Sequence, residues 1–374
     1  MGWACRGEDR QAHCFAALQR WAAAPVRRSE PMRDATLRDV AQLAGVSART
    51  VSNVVNGYAP VTEPTREKVE KAIKELGYRP NVLARNLANG RSGQIAVVVP
   101  FLDVPYFSEL LQAIIPRARE RGYHVLIDQT DGDPTHEREL IRRGARAALF
   151  DGMIYSPLGL AQEDLAESDP TFPLVLLGER SSNAFFDHVG INDVEASREA
   201  TAHLIGLGRR RIAAIGDQPY PTGEAAQLRT LGYRQAHADA GLPVDESLIV
   251  QTRRFNRADG AAAMRALLDR DDPPDAAFGY NDTVALGALH EVLERGLRVP
   301  EDIALIGYDD IDEGRYANPA ISTISPDKDA IATTAVERLL MRIGNKEPLP
   351  GIEVRASHRL IARHSTVGRV QRAE

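Results

Sequence analysis

The chain has 374 residues, 43% of them hydrophobic and 26% charged, and a net charge of −6. That length exceeds what one hydrophobic core usually supports, so a small domain beside a larger two-lobed one is expected. No apolar run approaches the ~18 to 20 residues of a membrane span, and both cysteines, Cys5 and Cys14, fall within the first 31 residues, which excludes disulfides, thiolate metal sites and cysteine nucleophiles from everything after them.

Charge is unevenly divided. Residues 32 to 92 hold ten Lys or Arg against six acids, residues 1 to 31 add two positive charges, and residues 93 to 374 carry −12. A basic head on an acidic body suggests that only the head meets a polyanion, although a solvated helical surface also accounts for the excess. Residues 1 to 31 show neither a period nor a turn grammar. Glu8 and Asp9 spoil the basic start of a signal peptide, and Gln19-Arg20 interrupts its apolar part. Translation is therefore expected to start at Met32, with residues 1 to 31 a non-native or disordered extension, and the protein is expected to be soluble and cytoplasmic with no membrane partner.

The first helix is predicted over about 37 to 44, from Leu37, Val40, Ala41 and Ala44, with Thr36 placed to cap and Gly45 to stop it. After Gly45-Val46-Ser47, Ser47 caps a second helix whose Val51, Val54 and Val55 form an inner stripe. Ala48, Arg49, Ser52, Asn53 and Asn56 then face outward. A helix-turn-helix inserts the start of its second helix into the major groove, where Arg49 can pair with guanine, Asn53 with adenine or a phosphate, and Ala48 can lie on a thymine methyl. Any small helical hairpin needs the same stripe and turn, so the pattern alone leaves both readings open. Thr62, Pro64 and the periodic Val69, Ile73 and Leu76 predict a capped third helix that ends at Gly77 and completes the small core. The following NVLARNLANG allows about two turns of helix, too short to persist in water unaided. Leu87 there either wedges between base steps in the minor groove or belongs to an ordinary linker.

TLRDVAQLAGVSARTVSNVVNG, followed by VTEPTREKVEKAIKELGYRPN and ARNLANGRS, closely resembles the LacI/GalR family of bacterial repressors, over residues 36 to about 365. The resemblance implies a homodimer on double-stranded operator DNA, with recognition helices in adjacent major grooves and hinge helices that fold together on the operator, Leu87 prising open the central step. It places the base-reading positions on Ala48, Arg49 and Asn53, puts Ser47, Thr50, Asn56, Thr62 and Asn81 near phosphates, and adds Ala84 and Leu87 on the hinge. It also implies a small all-α head at 32 to 80, a hinge at 81 to 92, a two-lobed periplasmic-binding-protein-like α/β body at 93 to 366 and a tail at 367 to 374. One lobe would combine about 93 to 191 with 324 to 341, the other 192 to 321 with 342 to 366, with the third chain crossing near Ser322 to Pro326.

From Ile95 onward apolar strand runs alternate with amphipathic helices: IAVVVP, VLIDQT, GMIYSP, LVLLGE, RIAAIGD, LIVQTR, AAFGYND and IALIGYDD. The alternation predicts parallel sheets with helices on both faces and ligands at the carboxyl ends of strands. The polar and aromatic residues there are Asp103, Tyr106, Phe107, Asp128, Ser156, Glu179, Asp217, Asn281-Asp282 and Asp309-Asp310. Rings that stack on C–H groups beside carboxylates and amides suit a sugar, whereas Asn or Asp after a strand also serves simply to cap the next helix. The resemblance selects Tyr106, Phe107, Arg229, Phe255, Asn281 and Asp309 as effector residues, with Arg229 and Asp309 gripping hydroxyls or a charged group and Phe255 stacking. Pro116 departs from the family inside the first body helix, where an interior proline usually kinks the chain.

The expectation is a repressor whose operator affinity a small molecule, a sugar by expectation, shifts ~5- to 150-fold by favouring one lobe arrangement. Induction is expected, with corepression the alternative. A solute receptor would share the body but have no use for the head. A sugar-acting enzyme would need an acid pair, yet Asp309 and Asp310 are adjacent and point to opposite faces. With no phosphate loop, nucleophile elbow or zinc helix motif, neither catalysis nor a cofactor or metal is expected.

Overall fold

The computed structural model describes residues 35–56, 59–78, 91–144, 149–160, 162–166, 168–178, 185–219, 223–345 and 347–368. The extension 1–31, the hinge positions Asn81, Ala84 and Leu87, and Glu179 lie outside them. The chain divides into two units, the first ending at Arg85.

In the first unit α1 (Leu37–Ala44), α2 (Ala48–Asn56) and α3 (Glu63–Leu76) enclose a small core. Helix α1 opens with a reciprocal capping box: Asp39 N–H donates to Thr36 Oγ1 while Thr36 N–H donates to Asp39 Oδ2. It closes at Gly45, whose φ of +67° is the left-handed conformation that glycine adopts without steric cost. At α2, Thr50 N–H donates to Ser47 Oγ at 3.0 Å. The start of α3 differs from expectation, because the Thr62 hydroxyl caps no backbone N–H and instead pairs with the Thr65 hydroxyl at 2.9 Å. Pro64 has no N–H, so one of the donors a cap would satisfy is missing there. Val40, Val51, Val54, Val69 and Ala72 are buried together, with Ile73 packed against them. Leu76, expected on the inner stripe, is exposed.

Among the described residues, the second unit contains two six-stranded sheets. The first is built from β1 (Gln94–Val99), β2 (His124–Gln129), β3 (Met153–Tyr155), β4 (Leu174–Leu177), β5 (Asp187–Gly190) and β11 (Glu353–Arg355), in the order β11-β5-β4-β3-β1-β2 and all parallel. The second is built from β6 (Ile212–Asp217), β7 (Ile249–Gln251), β8 (Ala276–Gly279), β9 (Ala304–Tyr308), β10 (Ser322–Pro326) and β12 (His358–Ile361), in the order β12-β10-β9-β8-β6-β7. Among the described strands of this sheet only β12 runs antiparallel to its neighbour. The central runs are buried throughout, as strands covered on both faces must be. In each sheet the order reverses beside the first strand, which opens a crevice at the carboxyl ends.

Helices α4 (Pro105–Glu120) and α12 (Lys328–Gly344) cover one face of the first sheet through Leu110, Ile114, Ala335 and Leu339. In the second lobe α7 (Asp193–Gly206) and α8 (Glu224–Asp239) cover one face. Its other face is covered by α9 (Arg257–Leu268) and α10 (Asp282–Glu294). The last two approach so closely that a Cβ at Gly287 would lie 2.0 Å from the Arg257 carbonyl oxygen. Pro116 does not end α4, which continues to Glu120. It is exposed beside exposed Gln112, so the carbonyl that loses its N–H partner lies on the solvent side.

The lobe boundaries differ from expectation. Residues 322 to 326 form a strand of the second sheet, pairing with both β9 and β12. The chain crosses at about 191, again between Pro326 and Lys328, and a third time between Arg355 and His358. Residues 342 to 355 therefore stay with the first lobe, because Glu353 to Arg355 pair with His188 to Gly190.

Candidate effector cleft and nucleic-acid interface

On the first unit, Ser47, Ala48 and Arg49 are exposed, and Thr50, Ser52 and Asn53 partly so, while Val51 and Val54 of the same helix are buried. The start of α2 thus presents one small residue and one guanidinium outward. Ser47 and Thr50 share a hydroxyl hydrogen bond of 2.8 Å, so both help to fix that helix end besides facing solvent. Thr62 is also exposed. The Asn56 side chain lies outside the described residues.

In the second unit a cavity of about 870 Å³ opens at the carboxyl ends of both sheets. It brings together Asp103, Tyr106, Phe107 and Ser156 of the first lobe with Arg229, Phe255, Asn281 and Asp309 of the second. Tyr106 and Phe107 pack edge to face at a centroid distance of 5.3 Å. Phe255 meets Tyr280 in the same manner at 6.5 Å.

Arg229 is held from several sides. Its Nε donates to Asp193 Oδ1 at 2.9 Å, another guanidinium N–H donates to the Tyr280 carbonyl, and its plane lies 3.8 Å from the centroid of Tyr308. The Tyr308 hydroxyl donates to the same Asp193 oxygen at 2.7 Å. Asp309 adopts φ +105° and donates its N–H to the Ile324 carbonyl at 2.8 Å. Burial pushes its carboxyl up to about 7, against the opposing pull of Arg229 and Lys328. Asn281 has a structural duty as well: its Oδ1 accepts from Val284 N–H at 2.9 Å and caps α10.

Four strand-end acids lie elsewhere. Asp128 is exposed on the edge strand β2. Asp217 accepts from the Thr230 hydroxyl at 2.9 Å. Asp282 is wholly buried, accepts from Ile311 N–H at 2.9 Å and Thr323 Oγ1 at 2.7 Å, and has its carboxyl pushed far above the usual range by that burial. Asp310 pairs with Arg363 and accepts from Ser325 Oγ at 2.9 Å.

Several residues that line the cavity were not foreseen. Gln218, Arg253, Arg254 and Arg257 all line it, and the signal was present as three arginines within five residues around Phe255. The Arg254 guanidinium lies 3.9 Å from the centroid of Phe101, on the opposite lobe. Glu137 acts from behind the wall. Its buried carboxylate accepts from Thr130 Oγ1 at 2.9 Å, Leu158 N–H at 3.1 Å and Gly159 N–H at 2.7 Å, which ties together the two loops that supply Gly132 and Leu158. Among the described residues, no cluster of three His, Cys, Asp or Glu is placed to hold a metal, and no helix is long and apolar enough to cross a membrane.

Residues 36–81 match the family model for bacterial regulatory proteins of the lacI family, and residues 201–366 match that for a periplasmic binding protein-like domain. The HTH-type transcriptional regulator DegA of Bacillus subtilis is 36% identical over 295 residues, covering 78% of this chain and 86% of DegA. The lac repressor dimer bound to operator and the anti-inducer ONPF superposes with a TM-score of 0.79 at 28% identity, covering 89% of this chain and 99% of that one. The complex of the transcriptional regulator CelR with cellobiose gives 0.64 at 31% identity, covering 88% and 99%.

Proposed function

The chain belongs to the lacI family of bacterial regulatory proteins, as a DNA-binding transcriptional repressor, and on that premise we propose that a carbohydrate bound between its lobes sets its operator affinity. The observation that carries this reading is the cavity itself. Its volume of about 870 Å³ falls within the ~300 to 1,000 Å³ usual for small-molecule sites. Aromatic rings from both lobes, Tyr106, Phe107 and Phe255, stand opposite a buried guanidinium and carboxyl, Arg229 and Asp309. Rings cover the apolar faces of a sugar, and the fixed polar pair orders its hydroxyls. The likeness to a regulator solved with cellobiose supports the same class.

Contacts across the cleft join the two lobes, so a ligand that binds one lobe arrangement better draws the protein toward it by its differential affinity. A coupling of ~1 to 3 kcal/mol changes operator affinity roughly 5- to 150-fold. We assign induction, in which ligand releases DNA, to a cytoplasmic homodimer. Base reading is assigned to Ala48, Arg49 and Asn53, and phosphate contacts to Ser47, Thr50, Asn56, Thr62 and Asn81. Ala84 and Leu87 belong to the hinge at 81 to 92 that carries the coupling.

The test has two stages. Genomic fragments retained by the protein are sequenced, with a roughly two-fold-symmetric site expected. Mobility shifts on that site are then run against a carbohydrate panel. Release by at least one sugar supports the proposal; retention of DNA under every sugar that measurably binds the protein overturns induction, and binding by none overturns the carbohydrate reading.

A further inference from the structure

Resting on the carbohydrate reading of the cleft, we infer that the effector is an acidic sugar, carrying a carboxylate or a phosphate that Arg254 and Arg257 hold at the rim on the second lobe.

Arg253 and Arg254 stand on the short, well-braced loop between β7 and α9, and Arg257 opens α9. Arg254 N–H donates to Asp259 Oδ2 at 2.8 Å, and Asp259 N–H donates to Asn256 Oδ1 at 2.8 Å, so backbone and cap close on each other. The Phe255 carbonyl accepts from Thr283 Oγ1 at 2.9 Å. The backbone is thereby fixed while all three guanidinium-bearing side chains remain exposed around the stacking ring of Phe255. Three cations within five residues repel one another, and a shared anion relieves that repulsion.

The acids that meet Arg254 and Arg257 are poorly placed to do so. Arg254 meets Asp103 at only 4.0 Å, with that carboxylate 80% exposed, and Arg257 meets Glu313 at 3.5 Å, with that carboxylate 48% exposed. Such exposed pairs are weak and easily exchanged. The other carboxylates of the cavity have duties of their own. Asp259 accepts the Arg254 N–H, Asp131 accepts from Gln129 Nε2 at 2.7 Å, and Asp309 is buried near Arg229 and Lys328. A ligand carboxylate or phosphate offers paired oxygens that fit the guanidinium fork.

Matched probes distinguish the alternatives: a neutral sugar, its uronate and its 6-phosphate, taken through the glucose, galactose and mannose series by calorimetry on the full chain. The expected result is at least about tenfold tighter binding of one acidic form than of its neutral counterpart, weakening as KCl rises, with the uronate and phosphate arms showing which anion fits. Substituting R254Q and R257Q together should bring acidic and neutral forms within about threefold. Should that variant fail to fold, the salt dependence of acid binding by the unmodified protein separates the same two outcomes. Neutral sugars that bind as tightly as their acids, or acid binding indifferent to salt, overturn the inference and leave the carbohydrate reading standing. Binding by no sugar in either form overturns both.

Discussion

Arg229 and Asp193 form an ion pair of 2.9 Å with both side chains almost wholly buried, 6% and 2% exposed. The pair joins α8 to the start of α7 and holds the guanidinium between the Tyr308 and Phe255 rings at the floor of the cleft. Removing one partner strands a buried charge. Asp193→Ala should therefore destabilise the protein by about 3 to 5 kcal/mol, whereas Tyr308→Phe, which removes one hydrogen bond to Asp193, should cost about 1 kcal/mol. Urea unfolding of both variants checks the ranking, and equal costs would contradict it.

Asp309 should give the protein a pH-dependent stability. In the unfolded chain an aspartate titrates near 3.8, and burial raises this one to about 7. The folded state therefore holds the proton more tightly. Asp309's contribution is most favourable below pH 3.8 and is lost as pH rises through about 7, on the order of 4 kcal/mol in all. Asp309→Asn abolishes that loss, so its stability relative to the unmodified protein should climb between pH 5 and pH 8. Unfolding curves at the two pH values test this, and an unchanged difference would falsify it.

Arg49 is exposed at the start of α2, and Arg49→Ala should weaken binding to the selected operator by ~1 to 3 kcal/mol. Binding to random duplex should fall much less, since base contacts specify while phosphate contacts only orient. Fluorescence anisotropy on both DNAs at fixed salt measures the ratio. A parallel fall on both would assign Arg49 to the phosphates.

Glu137 supports the cleft without lining it. Glu137→Ala leaves Leu158 N–H, Gly159 N–H and the Thr130 hydroxyl without their common acceptor, at ~1 to 3 kcal/mol for each group that stays buried. Hydrogen exchange should then quicken at Leu158 and Gly159 while strands of the second sheet keep their protection. Loss of protection in both sheets would show a global rather than a local effect.

Much of this architecture was legible because hydrophobic period depends on local sequence. The three head helices and the eight apolar strand runs follow from it, and strand ends point to the cleft by topology alone. Adjacent polar residues just past the strand ends divided: Asp309 lines the cavity while Asp310 turns to Arg363, and Asn281 lines it while Asp282 is buried against Thr323. Strand β5 was not legible. Its polar Asp187 and His188 are buried, and Asp187 is held by Arg338 and Arg342, some 150 residues away in sequence. The rim arginines were missed for another reason. LIVQTR reads as strand through Arg253, yet β7 ends at Gln251, which places all three arginines beyond the sheet.

The last chain crossing bears on how the protein is made. Residues 353 to 355 complete the first sheet at β5, and residues 358 to 361 complete the second at β10. Each lobe thus waits for a strand encoded more than thirty codons after its other strands, and neither sheet can close on the ribosome before residues 353 to 361 have emerged. The small core formed by Val40, Val51 and Val69 needs no later residue and can assemble while the body is still being translated, since domains fold as units in the order they emerge. A nonsense codon anywhere between 345 and 353 would accordingly yield a folded head attached to a sensor missing an edge from both sheets.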